Sequence, residues 1–389
     1  MKVRLFTLAA VAATTLLSQG VAQSDSLERA LADLNSGLVA PAGNAGVTWG
    51  GDFRLRNEWT DTDTDINDNR DFDARMRLTA SFNITEDSSA FAGFAGTEHW
   101  GDHLSNTAWD LDRAYFTVNN LMGDGGSMKA GRDYYTYGSG RIIGSSDWAD
   151  APSSHSGIWY SHDMGGMNMN FAMLNNGDGE NGQTGGDDML YVLSMDYALD
   201  LGASLGVINM TPYVMRDEGV DNDNWKGASL AGSLMGFGYD AEYAKYEGGN
   251  GDEGTAWAVS TSIDLAVLSS LPGISNGGVD ISMSSSDDEF DTNGPVTHGV
   301  GGFGDHSGGG AWAGGTDITT IGLNFSPAEG WGGRIAFNDV DGAKSYKETD
   351  VSVSHDFGGN VSGWFGYAMI NEEDADDAVT FWTTMSVSF

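Results

Sequence analysis

Residues 47–59 read VTWGGDFRLRNEW, and residues 72–84 read FDARMRLTASFNI. In the first stretch Val47, Trp49, Gly51, Phe53, Leu55, Asn57 and Trp59 share one face, while Asp52, Arg54 and Arg56 share the other. In the second, Phe72, Ala74, Met76, Leu78, Ala80, Phe82 and Ile84 oppose Asp73, Arg75, Arg77, Thr79, Ser81 and Asn83. A period of two sustained this long describes a strand with one apolar and one polar face. The polar faces carry arginine and carboxylate. In a dry sandwich core such a cluster would be ruinous, and facing lipid each charge near the midplane would cost roughly 2–4 kcal/mol. A wet interior imposes neither penalty, so the arginines fix which face is wet.

The pattern recurs outward from these two stretches. Met167, Met169, Phe171 and Met173 oppose Asn168 and Asn170; Tyr191, Leu193, Met195, Tyr197 and Leu199 oppose Ser194 and Asp196; Phe237, Tyr239, Ala241 and Tyr243 oppose Asp240, Glu242 and Ala244. Eighteen candidate strands follow between residues 47 and 389, with sixteen as the alternative count. Short connections alternate with connections that are mostly longer and strongly acidic, as in a meander of hairpins. An open sheet of that size would leave two unpaired edges, and closure removes both. The expected fold is therefore all-β: a closed antiparallel transmembrane β-barrel over residues 46–389, with short periplasmic turns, long acidic outer loops and both termini periplasmic. Trp49, Trp59, Trp100, Trp225, Trp257 and Trp331 fall near strand ends, where an amphipathic ring prefers the membrane interface. Phe91 and Phe94 are out of phase unless a bulge separates them, and Pro212 predicts a strand end or a bulge.

Composition bounds the remaining choices. The chain has 389 residues and no cysteine, which removes disulfides, iron–sulfur centres and thiol chemistry. Lys and Arg number 18 against 56 Asp and Glu, a formal charge of −38 that repels phosphate backbones and excludes nucleic acid as a partner. Lys2 and Arg4 precede an apolar run from Leu5 to Leu17, and Gly20-Val21-Ala22 supplies small residues, so residues 1–22 read as a signal peptide. Its removal takes Lys2 and Arg4 with it and leaves a charge of −40. Residues 23–45 read as a short periplasmic helix, with Leu27, Leu31 and Leu34 on one face, followed by a linker.

Asp112-Arg113-Ala114-Tyr115-Phe116-Thr117-Val118, then Gly126-Ser127-Met128-Lys129-Ala130-Gly131-Arg132-Asp133, and a final strand AVTFWTTMSVSF ending at Phe389, resemble the outer-membrane porins of Gram-negative bacteria. The resemblance implies a water-filled channel for small hydrophilic solutes and ions. It also implies a homotrimer in contact with outer-membrane lipid and lipopolysaccharide, and a loop, here residues 135–154, folded into the barrel. Asp147 and Asp150 of that loop would face Arg54, Arg56, Arg75, Arg77, Arg113 and Arg132 across the pore and set up a transverse field. Simple alternation places Arg132 beside Met128 and Ala130, so its place in the pore rests on the resemblance alone.

No nucleophile elbow, zinc-protease, dinucleotide-binding or P-loop pattern occurs, and an enzyme is not expected. Nor is a tightly held cofactor. Asp61, Asp63, Asp65 and Asp68 form an oxygen-rich run suited to Ca²⁺. Without the glycine and closing glutamate of an EF-hand, binding there would be weak. Glu98, His99, Asp102 and His103 offer a second candidate metal group. The alternative to a channel is a secreted or surface β-rich adhesin or structural protein with no pore.

Overall fold

The computed structural model describes residues 46–62, 69–99, 109–121, 123, 125–145, 153–175, 189–202, 206–219, 222–234, 237–265, 277–292, 312, 314–342, 345–372 and 377–389. The expected signal peptide at 1–22 and the expected helix and linker at 23–45 lie outside these residues, as do Asp63, Asp65, Asp68, Trp100, Asp102, His103, Asp147 and Asp150.

Eighteen strands follow one another: β1 (Val47–Thr62), β2 (Asn69–Thr85), β3 (Ser88–His99), β4 (Trp109–Leu121), β5 (Gly126–Tyr134), β6 (Ser154–Asp163), β7 (Met167–Asn175), β8 (Met189–Asp200), β9 (Val207–Asp217), β10 (Asn224–Leu234), β11 (Phe237–Glu247), β12 (Glu253–Asp264), β13 (Gly277–Ser286), β14 (Asp317–Phe325), β15 (Trp331–Asp341), β16 (Tyr346–Gly358), β17 (Val361–Glu372) and β18 (Ala378–Ser388). Each is antiparallel to its sequence neighbours, and β18 returns to pair with β1, so the sheet closes on itself. The seam is finished at the last residue: Gly51 N donates to the Phe389 carbonyl at 3.0 Å, and Phe389 N to the Gly51 carbonyl at 3.1 Å. Closure of eighteen strands leaves no edge to be satisfied by lipid or water.

The wall sorts its side chains by parity. Outside lie exposed apolar residues such as Leu193, Val214, Tyr243, Val259, Ile321 and Phe337. Inside lie Arg54, Asp73, Arg75, Ser194, Glu242, Asn338, Glu348 and Asp350, all buried. Because the chain makes an even number of crossings, the barrel's first and last strands begin and end at the same rim.

Three expectations are corrected. Phe91 stands opposite Ser81 and Phe94 opposite Leu78, so β3 runs past both without a bulge and Phe91 points inward. The extra residue is Asp112 of β4, skipped where Gly93 faces Arg113 and Phe94 faces Leu111. A bulge there frees Arg113 from the phase of Leu111, which stays outside. Pro212 neither ends β9 nor shifts it. Pairing with β8 lapses between Tyr213 and Met210 and resumes in the same register, while pairing with β10 continues through Pro212. The missing amide hydrogen accounts for a local lapse without a slip. Trp225 is not in the interfacial belt either: it is an inward residue, 2% exposed, and its Nε1 donates to the Asp291 carbonyl at 2.8 Å. Trp257 and Trp331 do face outward.

Candidate functional site in the barrel interior

The inner face of β1 and β2 carries a ladder of directly opposed charges. Asp52 faces Arg77, Arg54 faces Arg75, Arg56 faces Asp73, and Glu58 faces Asp71. Arg56 Nε donates to Asp73 Oδ2 at 2.6 Å, Arg77 Nε donates to Asp52 Oδ2 at 2.7 Å, and Arg54 Nη2 lies 3.8 Å from Asp73 Oδ1. The first two pairs join directly opposed residues, and Arg54 reaches Asp73 diagonally on the same face. The ladder is more covered than a row of freely solvated pore residues: Arg54, Arg56 and Arg75 are 6%, 6% and 2% exposed. Arg77 and Arg113 retain more contact with solvent.

Next to it, the inner faces of β3 to β6 hold bases against aromatic rings. Arg113 lies over Phe91 at 4.9 Å and over Tyr134 at 4.5 Å; Lys129 lies over Trp159 at 4.3 Å and over Tyr115 at 5.2 Å. Phe91 and Tyr115 stack at 5.0 Å, which the inward turn of Phe91 makes possible. Arg132 is not brought into this group. It stands opposite Ala114 and Ser156, in the phase of the exposed Phe116 and Ile158, and its Nε donates to Ser154 Oγ.

Across the barrel, nine strands around the closed wall from β2, the inner face of β11 carries the carboxylates Asp240 and Glu242. The loop after β5 reaches that wall. Gly138 and Gly140, at φ 55° and 77°, let residues 137–141 turn tightly, with Gly140 N donating to the Tyr137 carbonyl. Ser139 Oγ donates to Glu242 Oε2, Arg141 Nη1 donates to the same oxygen at 3.2 Å, and Tyr213 OH donates to Glu242 Oε1 at 3.1 Å. Arg141 also lies 3.7 Å from Asp240. Beyond the turn, Ile142 and Ile143 are buried against Leu174, Leu190, Val192, Met215, Trp225 and Ala244. Phe290 and Trp312, from the connection between β13 and β14, join the same cluster, with Arg141 5.8 Å over the Trp312 ring. Burial pushes the Tyr137 hydroxyl up from its ordinary pKa, and Asp196 and Glu242 push the same way. Asp196 adds another carboxylate on β8, held by Asn170 and Thr211.

The interior of β1 to β5 thus interleaves arginine and lysine with carboxylates in comparable number, whereas the inner ionisable side chains described on β8 to β11 are carboxylates. The carboxylates Asp196, Asp240 and Glu242 and the loop residue Arg141 were not singled out from the sequence. One signal existed for Glu242: it sits in the polar phase of a strand whose next inward residues, Ala244 and Tyr246, are apolar. A third stretch of wall runs over β12 to β16. A cavity of about 530 Å³ there is lined by Asp264, Asn324, Arg334, Ser352 and Ser354 among others. Arg334 Nη2 donates to Asp280 Oδ2 at 2.9 Å, and Asn324 Nδ2 to Asp280 Oδ1 at 2.6 Å.

The metal expectations find few described groups. Asp61 is exposed at the end of β1, and the other three aspartates of its run lie outside the described residues. Glu98 faces Ala74 and His99 faces Asp73, so neighbours in sequence point to opposite sides of the wall; His99 Nδ1 lies 3.1 Å from Asp71. Among the described residues, no three His, Asp or Glu side chains group as a metal site.

No protein-family model matches the sequence, and no curated protein does. Solved structures match it over most of its length. The crystal structure of Pseudomonas aeruginosa OccK3 (OpdO) is similar with a TM-score of 0.63 and 14% identity, covering 88% of this chain and 95% of that one. Acinetobacter baumannii OccAB1 is similar at 0.64 and 10%, covering 88% and 96%. Pseudomonas aeruginosa OpdK, solved with vanillate, is similar at 0.64 and 9%, covering 88% and 98%. At these identities the likeness is one of fold.

Proposed function

We propose that the chain is an outer-membrane channel that lets small hydrophilic solutes and ions cross by passive diffusion. The observation that carries this reading is the sorting of a closed wall into an exposed apolar exterior and a charged, hydroxyl-rich interior. A soluble adhesin has no use for an unbroken apolar exterior around eighteen strands. The fold shared with the Occ and OprD porins supports the same reading.

Within the channel, the loop spanning residues 135–154 narrows the lumen, and its anchor on Glu242 supports that role. The transverse field runs from the bases of β1 to β4 toward Asp196, Asp240 and Glu242, with Asp147 and Asp150 contributing from the same loop. Such a field orients dipolar solutes and filters ions by charge without a tight binding site. The assembly is a homotrimer, and deletion of residues 24–35 should leave trimers that dissociate at lower temperature in native mass spectra.

The direct test is incorporation of the refolded protein into planar bilayers. Discrete conductance steps are expected, together with a reversal potential in a salt gradient. A heat-shiftable, folded barrel that gives no steps would sink the reading.

A further inference from the structure

Given the reading of the wall as an outer-membrane barrel, we infer that Arg216, Lys226 and Lys245 on its lipid-facing side dock the doubly phosphorylated sugar head of an outer-leaflet glycolipid. Arg132 and Lys347 face outward singly, whereas these three lie outward together, on adjacent strands β9, β10 and β11, at the rim of the long connections. Arg216 and Lys226 expose more than half of their side chains, in a protein with a formal charge of −38. Each base has a glutamate partner on its solvent side, Arg216 lying 3.6 Å from Glu218, so an anionic headgroup would meet the bases from the membrane side.

The order of residues along the strands sharpens the match. Moving away from the membrane, β9 presents Val214, Arg216 and then Glu218; β10 presents Ala228, Lys226 and Asn224; β11 presents Tyr243, Lys245 and Glu247; β12 presents Trp257, Thr255 and Glu253. Four strands therefore give the same three layers: apolar, then basic or hydroxyl, then acidic or amide. Val214, Tyr243 and Trp257 are exposed to acyl chains. The acids beyond the bases hold them at headgroup depth: Lys226 Nζ and Lys245 Nζ lie 2.5 and 2.9 Å from Glu247 Oε1, and Lys245 Nζ lies 2.9 Å from Glu253 Oε2. Ammonium groups carry three donors each, so these pairs leave Lys226 donors for a phosphate. Three adjacent strands span about 10 Å, which suits two phosphates on one disaccharide better than the single phosphate of a glycerophospholipid.

The test titrates the full, refolded barrel in detergent with bisphosphorylated lipid A, its monophosphorylated form and phosphatidylglycerol, read by native mass spectrometry. Bisphosphorylated lipid A should bind tightest. The triple variant Arg216→Gln, Lys226→Gln, Lys245→Gln should lose about tenfold or more in that affinity, while Arg132→Gln, a base on a distant strand, should not. Lys226→Gln alone serves if the triple variant fails to give a heat-shiftable band. Wild-type affinity in a folded variant, or equal binding of phosphatidylglycerol and bisphosphorylated lipid A, would overturn the site. Conductance is recorded on the same samples: intact conductance with unchanged lipid binding fails the site alone, whereas selective loss of lipid binding in a barrel that never conducts supports the site and fails the channel.

Discussion

Glu242 shows how one residue can organise the interior. It is 4% exposed and accepts from Ser139, Arg141 and Tyr213. Removing one partner of a buried charged pair strands the other, whereas removing both leaves little further to lose. Glu242→Gln and Arg141→Met should each make the open-channel current noisier, and the double variant should be scarcely noisier than either. Additive effects would show that the two do not act as a unit. The arginine ladder separates in the same way by exposure. Arg77→Gln and Arg113→Gln should shift the reversal potential toward cations, because these guanidinium groups are the less covered ones. Arg75→Gln, at a site only 2% exposed, should act chiefly by lowering thermal stability, since it perturbs a packed charge cluster. An unchanged reversal potential in both Arg77 and Arg113 variants would remove them from the narrow part of the pore.

Among the elements, the loop after β5 and the bulge in β4 carry the most consequence. The loop is held by two kinds of contact: hydrogen bonds to Glu242, and the burial of Ile142 and Ile143 at 2% and 0% exposure. Large-to-small replacement of a buried aliphatic residue typically costs about 2–5 kcal/mol. Ile142→Ser with Ile143→Ser should therefore release the loop while leaving the wall closed. Trypsin would then cut after Arg141 in the folded barrel far faster than in wild type; an equal rate would mean that apolar burial does not hold the loop. In β4, the extra residue Asp112 lets Leu111 face lipid and Arg113 face the lumen. Deleting Asp112 should turn either Leu111 inward or Arg113 outward, and the yield of heat-shiftable barrel should fall sharply. A one-residue slip moves a whole strand's side chains to the wrong face.

At the scale of the whole molecule, two charge populations compete for the permeating ion. Acidic connections at one rim concentrate cations when salt is low, but the screening length falls from about 10 Å at 0.1 M to about 3 Å at 1 M. The interior bases lie nearer the ion path and are screened less. A mild cation preference at low salt should therefore weaken, or turn to anion preference, near 1 M. Neutralising Asp61, Asp63 and Asp65 should matter mainly at low salt; an equal effect at both concentrations would place those charges in the lumen.

What the sequence determined by itself was set by period and sign. Strict alternation in 47–59 and 72–84, with arginines confined to one phase, settled the faces of the wall and the wet side, because each is a local property of a pleated chain. Alternation also placed Arg132 outside, against its expected place in the pore. What the tertiary structure decided was everything that depends on closure. Glu242 meets Ser139 and Arg141 across about a hundred residues of chain, and Asp240 opposes the arginine ladder only because β11 lies nine strands from β2 on a closed circle of eighteen. Neither fact leaves a mark on local periodicity. Trp225 makes the same point: its position near a strand end is visible in the sequence, but whether it met lipid or a folded-in loop depended on where Ile142, Ile143, Phe290 and Trp312 came to rest.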